Sequence, residues 1–111
     1  AYVLPVKIVT EEEVAEQRPQ TFSLSENYPN PFNAQTQINY ALPKDCNVKV
    51  TIYNLLGQRV KTLVDEHQSA GYKTVHWEGK DERGVEVASG VYFYRIQAEE
   101  FVQTKKMLLL K

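Results

Sequence analysis

The strongest constraint on how this chain folds is a two-residue rhythm, repeated in run after run, with no stretch of apolar residues sustained at helical spacing. In QTQINYALP, Ile38, Tyr40 and Leu42 alternate with Gln37, Asn39 and Ala41 before Pro43 stops the run. Alternation of this kind sends one set of side chains to a buried face and the other to solvent, the pattern of a strand. NVKVTIYNL repeats it, with Val48, Val50 and Ile52 directed inward and Lys49 and Thr51 outward, and QRVKTLV is its neighbour. Later runs are YKTVHWEG, with Val75 and Trp77 sharing a face; GVYFYRIQA, with Tyr92, Tyr94 and Ile96 opposite Phe93 and Arg95; and a final FVQTKKMLLL. The best helical candidate, EEEVAEQ, has too little apolar face to pack.

The punctuation between runs is equally specific. Asn54-Leu55-Leu56-Gly57 and Asp81-Glu82-Arg83-Gly84 both end in glycine, which suits a tight turn closed by a residue in the left-handed region. About seven short strands rich in Val, Ile and Tyr, spaced by such turns, predict an all-β, immunoglobulin-like antiparallel β-sandwich. At 111 residues the chain suffices for one core, burying roughly 65% of its extended surface.

Charge and cysteine usage narrow the function classes. A net charge of -1 from interspersed acids and bases leaves no electrostatic footprint for nucleic acid. No apolar run approaches the ~20 residues that span a bilayer. Cys46 is the sole cysteine, so no internal disulfide forms and the redox compartment stays open. Because the chain opens at Ala1 rather than methionine, we expect a piece of a longer or processed protein, with any export signal upstream.

Residues 1–20 read as a linker with a strand-like start. Val3, Val6, Ile8 and Val9 surround Pro5, and Glu11, Glu12, Glu13 and Glu16 follow. The apolar residues are expected to dock on the domain's own sheet edge or on a neighbouring copy, which would allow self-association through residues 1–9.

The order of the pieces is more specific than their composition. The series NYPNPFN, INYALP, VTIYNLLGQRVKTL, AGYKTVHWEGKDERG and ASGVYFYRI, ending in FVQTKKMLLLK, resembles the C-terminal sorting domain of proteins exported by the type IX (Por) secretion system. The resemblance covers residues 21–111. Its central part also resembles the immunoglobulin-like domain of flagellar hook-capping proteins, and the opening YPNPFN and closing KKMLLLK favour the sorting domain. The resemblance implies a seven-stranded module behind an exported cargo, recognised by the outer-membrane translocon of a Gram-negative bacterium. It also implies a surface peptidase that removes such domains, a cell-surface or secreted location, and a linker role for the acidic segment. Many relatives carry a third proline where this chain has Ala34.

In NYPNPFN, Pro29 and Pro31 fix their own φ and bias Tyr28 and Asn30 toward extended geometry. Tyr28 and Phe32 are expected to plug one end of the sandwich, and Asn27, Asn30 and Asn33 to satisfy unpaired backbone groups. A structural lid is the simpler reading; contact with the export machinery is the alternative. Gly57 and Gly84 close turns, Gly90 stands at a strand's entry, and Tyr92, two residues on, is expected to bond back to nearby backbone as a corner tyrosine. The segment Lys105, Lys106, Met107, Leu108, Leu109, Leu110 and Lys111 is expected to be a final strand lying partly under a loop. It also offers an apolar, lysine-flanked handle for strand addition, and is where export machinery would engage.

No catalytic, cofactor or metal site is expected. His67 in a turn, His76 on an outer face and Cys46 at a strand start lack an oxyanion loop. Glu78, Asp81 and Glu82 with Asp65 and Glu66 lack the alternating spacing of a calcium loop, so Asp81 is expected to cap its own turn. Trp77, Tyr72 and Phe93 could form a sugar platform, although the register of Trp77 with Val75 places it in the core. Two rival functions remain: a carbohydrate-binding or adhesive module, and a hook-cap-like assembly domain.

Overall fold

The computed structural model describes residues 18–111; the docking expected of residues 1–9 lies outside them. Among the described residues the chain forms seven strands: β1 (Ser23–Leu24), β2 (Thr36–Leu42), β3 (Cys46–Tyr53), β4 (Arg59–Gln68), β5 (Gly71–Trp77), β6 (Gly90–Ala98) and β7 (Phe101–Leu109). They make two antiparallel sheets, ordered β1-β2-β5 and β4-β3-β6-β7. The fourth strand pairs with the third in the larger sheet, a variation on the immunoglobulin-like sandwich in which the first sheet keeps three strands.

The alternation sets the register. Ile38, Tyr40 and Leu42 of β2 and Val48, Val50 and Ile52 of β3 are buried, and meet Tyr94, Ile96, Met107 and Leu109 from the last hairpin. Each fully buried aliphatic side chain contributes about 1.5–3 kcal/mol. Thr51, expected outside, is nevertheless buried: it lies on a central strand between Thr62 and Arg95, next to a register shift against β4. His67 is not in a turn: β4 runs on to Gln68, and the imidazole Nδ1 lies 3.1 Å from Asn47 Oδ1 on the neighbouring strand.

Three core tyrosines use their hydroxyls to tie separate segments together. Tyr40 of the small sheet donates to Gln68 Oε1 of the large one at 2.6 Å, and Tyr94 of the large sheet donates to the Ser25 carbonyl at 2.7 Å. Tyr92 donates to the carbonyl of Ala88, four residues upstream, at 2.7 Å. Burial pushes the Tyr94 hydroxyl up to about 12 and raises Tyr40 and Tyr92 as well.

The two glycine-closed turns share one geometry. Asn54 Oδ1 accepts from the amides of Leu56 and Gln58, and Asp81 Oδ1 accepts from those of Arg83 and Val85. In each, the glycine amide returns to the carbonyl of the first turn residue. The bonds from the Val85 and Arg83 amides hold the Asp81 carboxyl below its usual range. Gly57 and Gly84 sit at φ 81° and 79°, where a Cβ is disfavoured by backbone sterics.

Nothing lies within 4 Å of a Cβ built on Gly57, so Gly57→Ala tests backbone conformation alone. We expect it to lower unfolding free energy by about 1 kcal/mol in urea melts, and Gly57→Asn by less, since Asn tolerates the left-handed region. A second expectation concerns alkaline pH. The folded-state pKa of Tyr94 lies above its ordinary value of 10.0, so its stabilisation is complete below pH 10 and is lost as pH rises toward 12. Stability measured across that window should fall more steeply in the unaltered protein than in Tyr94→Phe.

Candidate functional site

The stretch NYPNPFN and the chain's last residues come together at one end of the sandwich. Tyr28 exchanges two backbone hydrogen bonds with Gln37, at 2.9 and 2.8 Å, extending the line of β1 along the small sheet. Four residues later Phe32 pairs in parallel with the end of β7 in the large sheet: its amide donates to Leu108 O at 3.0 Å and its carbonyl accepts from the Leu110 amide at 2.9 Å. The Tyr28–Pro29 and Asn30–Pro31 peptide bonds are both cis. The loop is thus a strap from one sheet to the other.

Its side chains divide accordingly. Phe32 is buried, its ring 5.6 Å from that of Trp77, which lies 5.2 Å from Tyr92 edge to face. This aromatic row joins the strap, β5 and β6, and Trp77 Nε1 donates to Lys80 O at 2.9 Å. Phe32 is therefore the plug expected at this end, whereas Tyr28 is not: it is 79% exposed. Its pairing with Gln37 fixes the reason, because Gln37 belongs to the outward-facing set of β2.

The asparagines also differ in role. Asn27 is buried, its Nδ2 donating to Thr36 Oγ1 at 2.9 Å and to Pro29 O at 3.2 Å, while the Thr36 hydroxyl donates to the same Pro29 carbonyl at 2.8 Å. Asn30 Oδ1 accepts from the Leu108 amide at 3.1 Å. Asn33 is exposed, as is Ala34 beside it.

In the C-terminal segment, Met107 and Leu109 point into the core while Lys106, Leu110 and Lys111 face solvent. Lys105 Nζ is 3.0 Å from Glu26 Oε1, and the Lys111 amide donates to Ser89 Oγ at 2.9 Å. Leu108 turns both its amide and its carbonyl to the strap, away from β6. By strand alternation Val102, Thr104 and Lys106 present their backbone groups on that same side, which the strap does not reach. A shallow groove of ≈ 210 Å³ lies beside this edge, lined by Asn30, Val91, Lys106, Met107 and Leu108.

The groups expected to be chemically idle are dispersed. Cys46 is buried at the start of β3, and burial raises its thiol pKa, so the nucleophilic thiolate is disfavoured. His76 is exposed on β5. Among the described residues no three His, Cys, Asp or Glu side chains gather where a metal could be held. Sequence reasoning weighed Glu82 only as a turn carboxylate and missed its role: its amide donates to Val60 O at 3.2 Å and its carboxylate accepts from the Thr62 amide at 2.6 Å, covering part of the β4 edge. It carries no local pattern that distinguishes it from any turn carboxylate.

The FlgD Ig-like domain model matches residues 29–100, more than half of the chain, and stops before β7. Among solved structures, dimeric latent PorU from Porphyromonas gingivalis superposes with a TM-score of 0.63 at 22% identity, covering 77% of this chain and 9% of that one. PorZ, an essential surface component of the type-IX secretion system of Porphyromonas gingivalis, gives 0.55 at 18% identity, covering 81% and 11%. FLGD from P. aeruginosa gives 0.54 at 23% identity, covering 71% of this chain and 67% of that one. The chain thus spans about a tenth of the two larger proteins. No curated protein matches the sequence.

Removing the Asn30 acceptor should free the Leu108 amide without emptying the core. We expect Asn30→Ala to speed hydrogen exchange at Leu108 several-fold, while the β3 amides keep their protection.

Proposed function

Because the chain belongs to the FlgD Ig-like domain family, we propose that it is a non-catalytic C-terminal sorting domain, directing a larger exported protein through the type IX secretion system. The observation that carries this reading is a juxtaposition. YPNPFN and KKMLLLK, the stretches that favour the sorting domain over the flagellar module, form one surface through Phe32, Asn30, Leu108 and Leu110. Lying after the family-matched region, the last strand is held in a fixed pose by the strap, with Lys106, Leu110 and Lys111 outward and, among the described residues, an unpaired backbone edge beside them.

In this reading residues 1–20 link a cargo to a sorting domain at residues 21–111. The translocon and a surface peptidase are its partners, and the destination is the cell surface or exterior. The resemblance in fold to domains of PorU and PorZ supports the same assignment. A hook-cap-like assembly role is the second reading, favoured by the family match and by the likeness to FLGD. It requires ordered oligomers of the purified domain.

Deleting Thr104–Lys111 would remove Met107 and Leu109 from the core and abolish the fold along with the signal. The decisive variant is Lys106→Glu, Leu110→Glu, Lys111→Glu, which leaves the core intact and gives up only a surface ion pair, Lys111 Nζ to Glu86 Oε2 at 3.9 Å. Fused behind a reporter in a host possessing the machinery, it should fold with near-normal melting yet leave the reporter in the periplasm. Normal export of that variant overturns the proposal.

A further inference from the structure

The outer face of the small sheet shares Tyr28 with the strap but none of the residues that join it to the last strand. Register and parity lay it out as a grid, because cross-strand partners share a face. One end row is Ser23, Ala41 and Tyr72; the other is Tyr28, Gln37 and His76. Between them Ser25, Asn39 and Thr74 form the middle row, with the Ser25 amide bonded to Asn39 O.

Two features distinguish this face. Its corners on opposite sides hold tyrosine rings left in water, Tyr28 at 79% exposure and Tyr72 at 74%. Its centre is a preset amide and hydroxyl network: Asn39 Oδ1 accepts from Gln37 Nε2 at 3.0 Å and from the Thr74 hydroxyl at 2.8 Å. This fixes both amide planes and leaves Asn39 Nδ2 and Gln37 Oε1 without a protein partner among the described residues. Two adjoining depressions, ≈ 380 Å³ and ≈ 170 Å³, run along the face, share Gln37 and each reach one of the tyrosines.

The chemistry selects an occupant. None of the nine positions carries a carboxylate, a lysine or an arginine; the one cation lining the depressions, Lys73, is out of register with the grid and gives its ammonium to Ser69 Oγ at 3.2 Å, so the face offers little to a phosphate backbone or an anionic polymer. A protein-docking patch has an apolar centre and a polar rim, and here the order is inverted. Polar groups flanked by exposed rings suit a ligand with hydroxyls along its edges and apolar C–H faces. We propose that this face binds a neutral polysaccharide, with Tyr28 and Tyr72 stacking on sugars several units apart and Gln37, Asn39 and Thr74 reading hydroxyls between them. Four residues along β2 and two strand spacings separate the ring positions by roughly 17 Å, a span of a few sugar units.

Affinity electrophoresis of the 111-residue chain tests this, in gels containing hydroxyethylcellulose, laminarin, xylan or mannan, with polygalacturonate as the anionic comparison. At least one neutral polymer should retard the protein. Tyr28→Ala and Tyr72→Ala should each weaken retardation roughly tenfold, and the double variant should abolish it. Phe93→Ala, on the opposite sheet, should change nothing. Both tyrosines are exposed, so unchanged melting is the folding control for their variants. Retardation by polygalacturonate alone, by no polymer, or undiminished in the double variant overturns the proposal.

Discussion

The architecture depends on how one phenylalanine is held. Phe32 sits between the two sheets with its ring against Trp77, and its peptide groups are bonded to Leu108 and Leu110 of the last strand. The side chain and the backbone enforce each other. Burial of the ring fixes the depth of the strap, and the backbone pairs fix its direction. A ring of this size leaves a cavity costing about 3–5 kcal/mol when truncated, more than any single hydrogen bond in the region. Trp77, Tyr92, Met107 and Leu109 all pack in this region, so the C-terminal segment owes its pose to a residue some 75 positions earlier.

A sandwich of this kind must manage the edges of both sheets, because an unpaired strand edge invites association. The large sheet is treated unequally at its two sides. Glu82 covers Val60 and Thr62 on the β4 side, whereas on the β7 side the strap covers Leu108 and stops. Among the described residues nothing pairs with the rest of that edge, which carries Lys106, a residue that discourages casual pairing without forbidding a partner that brings complementary charge.

Much of the fold was legible in the sequence. Alternation gives the inward residues of β2, β3 and β6 because a strand has only two faces, and both glycine-closed turns carry their cap in the first residue. Trp77 was legible as core for the same reason, through its register with Val75, whereas Phe32 was legible only as an aromatic ring in a proline-framed loop. The exposure of Tyr28 was not legible: its direction is set by pairing with Gln37, a long-range register that no local pattern encodes. Thr51 and His67 were misplaced on the same account, since bulges and strand ends depend on the neighbouring strand. The meeting of Asn30 and Phe32 with Leu108 is likewise a tertiary fact, although both stretches stood out in the sequence. The grid on the small sheet was hidden because its members come from three separate strands.

The direction in which the chain crosses the sandwich has a mechanical consequence. Phe22, immediately before β1, stacks on Phe101, and at the other end the last strand closes at Leu109. Eight residue steps along β7 put these points about 27 Å apart. Tension between an attached N-terminal partner and a gripped tail would therefore act along the strand axis. It would load the nine β6–β7 pairs and the Phe32 bonds in shear, so that they resist together rather than peel apart one at a time.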